Sequence, residues 1–492
     1  MARKNSKHWL TGTPDCHILR MPVEILCEIF ILYHSLLDFS SVDQGEIPSD
    51  NTLAREILVL GSVCRIFRAA AWCTPRLWTY IVFAVHPSEE NKGTDSVERF
   101  TAEVRGLEAW LQRTGTEHAL HVYVKCVPVP SGAQADALAV VVDMLVRHCH
   151  RWREVGLYLP RACLVRMNQL LALSSMGMPF THREVPTPLL RKLMLFGQWQ
   201  DYYHSDVTGQ GVIDAFVEAP LEELQLSKFP QETLVVVWGQ LTRFEGYQNS
   251  LEDVLDVLRQ TPILVECSLS CTINDNWGAQ IEPVCLPRLR SLTLSRTIIP
   301  IDHLILPALE TLVLHMDETE GDGEGFDPED ELEGTIYSDD FVGLVRRSGC
   351  TLQRLHLHVS FLAISTFLEC LRATPQLKEL VIEYAQGGTS MNEYFLDRMV
   401  HGLTPRTQSP TVVPELIYLE VRQCSSEFSI HALGEMLWLR WGAGQGERGS
   451  LEVFRLQIWM IEGSQSKCED VLKEERIRTV IDEGMLVDVN YA

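Results

Sequence analysis

The sequence predicts an α/β chain, a small all-α head followed by a long irregular solenoid of short strands and return helices sharing a parallel sheet. Three observations predict it. A six-residue signature, L-x-x-L-x-L, recurs in nine full or degenerate copies between Leu190 and Leu456. A proline stands just before most copies. Residues 21–71 carry two helical apolar patterns instead.

The first helical pattern is M-P-V-E-I-L-C-E-I-F at 21–30. Pro22 suits a first helical turn, where its missing N–H costs nothing. Ile25, Leu26, Ile29 and Phe30 then form one apolar stripe, with Glu24 and Glu28 on the other side. Gly45, Pro48, Ser49 and Asp50 mark a loop. The second pattern runs from Leu53 to Ala71. Ile57, Leu58, Leu60, Val63, Cys64 and Phe67 form its apolar side, and Thr74-Pro75 ends it. Tyr80 to Val85 reads as a strand.

These blocks, with I-L-V-L-G-S-V-C-R-I-F-R-A-A-A-W-C-T-P-R-L-W at 57–78, resemble the F-box in its fungal form. The resemblance covers about residues 18–83. It departs at Met21, where Leu is usual, at Phe67, where Trp is commonest, and in the long loop from Ser35 to Asn51. It implies docking on the Skp-type adaptor of a cullin-based ubiquitin ligase. Pro22, Ile25, Leu26, Ile29, Val63 and Cys64 match the positions where the family presents its adaptor-binding surface. The residues by themselves also allow a head that only caps the array behind it.

In the body, full copies begin at Leu190, Leu221, Leu289, Leu309, Leu352 and Leu377, and degenerate ones at Leu264, Leu416 and Leu451. Trp152-Arg-Glu-Val155-Gly-Leu157 reads as an early relative. Pro188, Pro262, Pro287, Pro307, Pro375 and Pro414 stand two residues before a first leucine, and Pro220 one before. Proline ends what precedes it. The L-x-L core alternates with period two, so both side chains enter one side of a strand. Helical patterns at Glu252–Gln260, Asp339–Ser348, Ile364–Ala373, Asn392–Leu403 and Ile430–Trp441 lie between copies. Strand, return helix, strand is the unit of a leucine-rich-repeat solenoid, although the usual asparagine of that repeat is missing. Several ordinary α/β domains are the plainer alternative.

Such an array exposes alternate strand residues on a concave face. They are Lys192 and Met194, Glu223 and Gln225, Ser291 and Thr293, Thr311 and Val313, Arg354 and His356, Glu379 and Val381, and Tyr418 and Glu420. Met194, Gln225, Thr293, Val313, His356, Val381 and Glu420 are the expected target-binding positions. They share no single chemistry, so the target is not readable from them.

The expected domains are a flexible N-terminus at 1–16, the head at 17–83, the repeat region at 84–486 with an acidic insertion at 317–335, and a C-terminal tail at 487–492. The 492 residues carry 42 Lys+Arg against 66 Asp+Glu, a net charge of −24. That argues against a nucleic-acid coat or a basic membrane-surface protein. No apolar run approaches the ~20 residues of a membrane span. No apolar signal core follows the basic N-terminus. The fourteen cysteines include no C-x-x-C pair, so reduced thiols of the cytoplasm or nucleus are expected. The acidic stretch Asp317–Glu333 only faintly imitates a calcium loop, through Glu320, Asp322, Glu324 and Glu331. His148-Cys149-His150 ends a helical pattern, where neighbouring side chains point apart. No phosphate loop, nucleophile elbow or H-E-x-x-H is present. Neither catalytic, cofactor nor metal residues are therefore expected.

Three classes of function follow. One is a non-enzymatic substrate-recruiting adaptor of an SCF-type ligase, bound to the Skp-type subunit and through it a cullin. The second is a repeat scaffold unrelated to ubiquitination. The third is an enzyme with an unrecognised site.

Overall fold

The computed structural model describes residues 17–36, 52–85, 95–126, 132–176, 186–197, 212–229, 231–272, 282–295, 301–315, 338–358, 364–384, 395–405, 410–424, 428–442, 450–458 and 464–491. The expected flexible N-terminus and the acidic insertion with its calcium-like spacing lie outside the described residues. The chain is mixed α/β, with thirteen α-helices among the described residues and strands that pair in parallel. It divides into two compact units. One is Met1–Leu221 with Phe229–Val236, and the other Glu222–Lys228 with Val237–Ala492.

The first unit opens with helices α1 (Val23–Leu36), α2 (Thr52–Val63) and α3 (Arg65–Trp72). Strands β1 (Tyr80–Val85), β2 (Leu120–Cys126), β3 (Trp152–Tyr158) and β4 (Lys192–Phe196) then pair in sequence order, all parallel. Helices α4 (Asp95–Arg113), α5 (Gly132–Val146) and α6 (Arg161–Met176) connect them. The expected boundary at 83/84 falls inside β1, because Tyr80–Val85 already pairs with β2. β2 carries no leucine signature; Leu120, Val122 and Val124 fill the buried positions instead.

The second unit continues the same grammar. Strands β5 (Glu223–Ser227), β6 (Arg243–Ser250) and β7 (Glu266–Thr272) pair in order. β9 (Ser291–Ser295), β11 (Thr311–His315), β12 (Arg354–His358) and β13 (Glu379–Glu383) follow. Then come β14 (Tyr418–Cys424), β15 (Val453–Ile458) and β16 (Leu486–Tyr491). β8 (Val284–Cys285) and β10 (Leu304–Ile305) leave to form their own short parallel ladder. The helices are α7 (Leu251–Gln260), α8 (Ser338–Ser348), α9 (Ile364–Ala373), α10 (Phe395–Leu403), α11 (Ile430–Trp441), α12 (Ser464–Lys473) and α13 (Glu475–Asp482). The expected C-terminal tail is mostly strand, since β16 pairs with β15 along its whole length.

The leucines of the signature are buried in register. Leu292, Leu312, Leu355, Leu380 and Leu419 face one another across successive strands, each 0–1% exposed. Burial of one such side chain contributes roughly 1.5–3 kcal/mol, so this ladder is the core of the unit.

The turn that launches the strands is equally regular. Thr74-Pro75-Arg76-Leu77, Thr187-Pro188-Leu189-Leu190, Thr261-Pro262-Ile263-Leu264 and Thr374-Pro375-Gln376-Leu377 are four copies of Thr-Pro-x-Leu. In each, the leucine N–H donates to the threonine carbonyl at 3.1–3.2 Å. Proline sits at the second turn position, where its fixed φ is favoured. The threonine hydroxyls of Thr74, Thr261 and Thr374 donate to the carbonyl four residues back, at 2.7, 3.1 and 3.2 Å, and so close the preceding helix. Thr74-Pro75, one end of the head signature, is thus also the turn of the first repeat.

Candidate functional site

In the head, Leu26, Phe30, Ile57, Phe67, Ala70, Ala71, Leu77 and Trp78 form one buried cluster. α1 is apolar on two faces. Leu26 and Phe30 point into the cluster, whereas Ile25, Ile29 and Leu32 make an outward stripe at 48, 38 and 62% exposure. Leu58, Val59, Val63, Ile66 and Trp72 on α2 and α3 are also exposed. Half of the large hydrophobics exposed among the described residues fall within 18–72. Apolar surface concentrated in this way marks an interaction site more often than a bare surface.

Of the six expected adaptor-binding residues, Pro22, Ile25, Ile29 and Val63 are exposed. Leu26 is not; it is fully buried, because the helical period of 3.6 turns it a full 100° from Ile25. Cys64 is half-buried and its Sγ caps α3 by accepting from the Phe67 N–H at 3.4 Å. Its thiol is a local structural device.

The strand face opposite the leucine core differs between the units. In the first unit, Val82, Tyr123, Gly156 and Met194 stand in register across β1–β4. A Cβ on Gly156 would lie 2.8 Å from both Met194 Cε and Tyr123 Cδ1. The two side chains close over the glycine, and Tyr80, Tyr158 and Phe196 pack around them. Met194 is therefore fully buried, contrary to its expected place on a target-binding face.

Beside this cluster runs a polar row. Tyr80 stacks on His121 with ring centroids 4.3 Å apart. Glu154 joins His121 Nδ1 through Oε2 at 3.0 Å and Lys192 Nζ through Oε1 at 3.1 Å. Burial pushes the Glu154 carboxyl up, but the His121 and Lys192 contacts outweigh it and bring it down to about 2. A depressed carboxyl stabilises the fold above its ordinary value near 4.3 and loses that contribution as pH falls toward its folded value. Glu154→Gln is expected to cost on the order of 2 kcal/mol at pH 7 and much less near pH 2–3, read as urea midpoints. An equal cost at both pH values would contradict this account.

In the second unit, Gln225, Glu245, Ser268, Thr293, Val313, His356, Val381 and Glu420 stand in one row. Thr293, Val313, His356, Val381 and Glu420 are half-buried. Gln225 is 3% exposed and presents no surface to a target, again against expectation. Glu245 accepts from Arg243 Nε at 3.0 Å and Tyr247 Oη at 3.2 Å. Glu420 is held by Tyr418 Oη at 2.5 Å and Arg422 Nε at 2.8 Å. Both acids are engaged by neighbours on their own strand. Farther along, His315, His356 and Glu383 converge from β11, β12 and β13.

His148, Cys149 and His150 do not converge. Cys149 is buried, which pushes its thiol up, while His150 is exposed. The twelve cysteines whose side chains are described are free thiols, and among the described residues no helix is long and apolar enough to cross a membrane.

No family model matches the chain. No curated protein matches it either. Among solved structures it is similar to the one titled "Crystal structure of TLR13-ssRNA13 complex", at 12% identity and a TM-score of 0.33. That match covers 76% of this chain and 45% of the other, so the chain spans under half the length of that protein.

Proposed function

We propose that this chain is a protein-interaction adaptor without chemistry of its own. Its head docks on the Skp-type subunit of an SCF-type cullin ubiquitin ligase, and its strand face holds the target protein. One observation carries the reading: Pro22 just before α1, Ile25 and Ile29 on its outward side, and Val63 at the end of α2 are exposed and match the F-box pattern. Bringing a target beside a ubiquitin-charged enzyme raises its effective concentration, which suffices for function without catalysis by this chain.

A second reading has its own support. Trp110 Nε1 on α4 donates to the Trp78 carbonyl at 2.8 Å, and the Thr74-Pro75 turn repeats before later strands. These features suit a head that caps a repeat scaffold unrelated to ubiquitination.

Co-expression with the Skp-type subunit separates the two. Wild type is expected to co-purify stoichiometrically. Ile25→Asp and Val63→Asp place a charge in the contact and are expected to abolish co-purification while leaving thermal unfolding unchanged, because both positions are exposed. Leu26→Ala is unsuitable, since it would open a cavity in the head core. A folded wild type that fails to bind would refute the ligase reading and leave the cap.

A further inference from the structure

We propose that His315, His356 and Glu383 form a zinc(II) site on the strand face of the second unit. The three residues lie on adjacent parallel strands. Thr311 is in register with Arg354, and Arg354 with Glu379. His315 and Glu383 stand four residues into their strands and His356 two, so all three side chains leave the same face.

Their ligand atoms all lie within 4.8 Å of one another. His356 Nε2 is 3.0 Å from Glu383 Oε2, and His315 Nδ1 is 3.8 Å from the same oxygen. Nitrogen and oxygen ligands at ~2.0–2.1 Å in a tetrahedron stand roughly 3.3 Å apart. The two separations bracket that edge, so small side-chain rotations bring both to it. The imidazole rings meet edge-on, with centroids 4.4 Å apart at 78°.

The donor set has the right chemistry. Two imidazoles and a carboxylate select a late first-row divalent ion over calcium or magnesium, which take oxygen ligands. Glu383 Oε2 faces both imidazoles, so the carboxylate is placed to share one ion with them. The side chains are 35, 15 and 21% exposed, so the site is reachable but partly desolvated. Arg422, in register with Glu383 on the next strand, disfavours a cation; its guanidinium is turned to Glu420, with Nε at 2.8 Å. Three protein ligands leave a fourth position for water or for a donor from a bound protein. This assignment does not depend on the ligase reading.

The test is titration of the full-length chain with cobalt(II), followed by zinc(II), under reducing conditions. One equivalent of cobalt is expected to produce visible d–d absorption without a thiolate charge-transfer band, and zinc to bleach it. His315→Ala, His356→Gln and Glu383→Gln are each expected to weaken binding at least about tenfold, the loss seen even for outer-shell partners. Zinc is also expected to raise the melting temperature of wild type and not of Glu383→Gln, a near-isosteric change that retains the fold. No binding would overturn the proposal and leave a histidine–glutamate hydrogen bond on a solvated strand. A thiolate band, or binding unchanged in all three variants, would place the ion elsewhere and overturn it equally.

Discussion

Replacing Trp78 by alanine is expected to cost roughly 3–5 kcal/mol, the range for removing a buried aromatic from a packed core. Trp78 is 1% exposed and lies in the cluster that joins α1 and α3. Its Nε1 donates to the Ala71 carbonyl at 2.9 Å, and Trp110 of α4 packs edge-on at 4.5 Å. The Arg113 guanidinium lies 5.0 Å from its ring centroid. Alanine removes all three side-chain contacts, so the head helices lose the largest side chain of their core and its ring packing on α4, while the Trp110 hydrogen bond to the backbone carbonyl of residue 78 is retained. Hydrogen exchange resolved along the chain should show α1–α3 losing protection while the second unit keeps its own. Unchanged protection in α1–α3 would show that the head is held by something other than this side chain.

Arg440→Met is expected to destabilise the second unit by about 3 kcal/mol or more. Arg440 is 4% exposed on α11 and donates to three backbone carbonyls: Nε to Leu403 at 2.8 Å, Nη1 to Val413 at 3.0 Å and Nη2 to Val412 at 2.6 Å. Burial pushes its guanidinium down to about 10, so it remains charged at neutral pH. The Leu403 carbonyl is one of the orphan acceptors at the end of α10. Val413 sits at φ +45, a conformation β-branched residues rarely adopt, and the arginine fixes the carbonyls on either side of that strain. Methionine keeps most of the volume but takes the only side-chain donor from the Leu403 and Val412 carbonyls, each costing ~1–3 kcal/mol before water enters, while the Val413 carbonyl still accepts from the Leu416 N–H at 3.3 Å. Urea unfolding followed by hydrogen exchange at 395–424 checks this. A change below ~1 kcal/mol would mean that the carbonyls find other donors.

Much of the body was legible because leucine at period two reports one buried strand face directly. The copies at Leu190, Leu221, Leu289, Leu309, Leu352 and Leu377 all lead into strands. β2, β6 and β16 were not legible. β2 uses valine, and β6 follows Leu241 with Phe244 and Gly246 where the second and third leucines would stand. β16 has Val487 and Val489 on a strand largely exposed at its other positions. Each departs from the leucine pattern at the positions that make it recognisable. The recurring Thr-Pro-x-Leu turn is present in the sequence, where its proline marks the strand start and its threonine acts only once the preceding helix is folded against it.

The cluster of His315, His356 and Glu383 was not legible in the sequence either. His315, His356 and Glu383 are 41 and 27 residues apart in sequence, far from any metal-ligand spacing. His315 and Glu383 stand six residues after their first leucine and His356 four after its own. Only strand order and register make such columns into neighbours.

By itself the sequence determined the periodic core, the turns that launch its strands, the helical head and the acidic balance of charge. These are local or additive properties, set by side-chain period, proline geometry and residue counts. The tertiary structure alone decided which side of each element meets a neighbour. It buried Leu26 but left Ile25 outside, closed Met194 and Tyr123 over Gly156, sank Gln225, and paired β16 where a tail was expected. Whether an alternating face is covered depends on what the adjacent strand or helix carries at the same height, and that is a property of packing between segments distant in sequence.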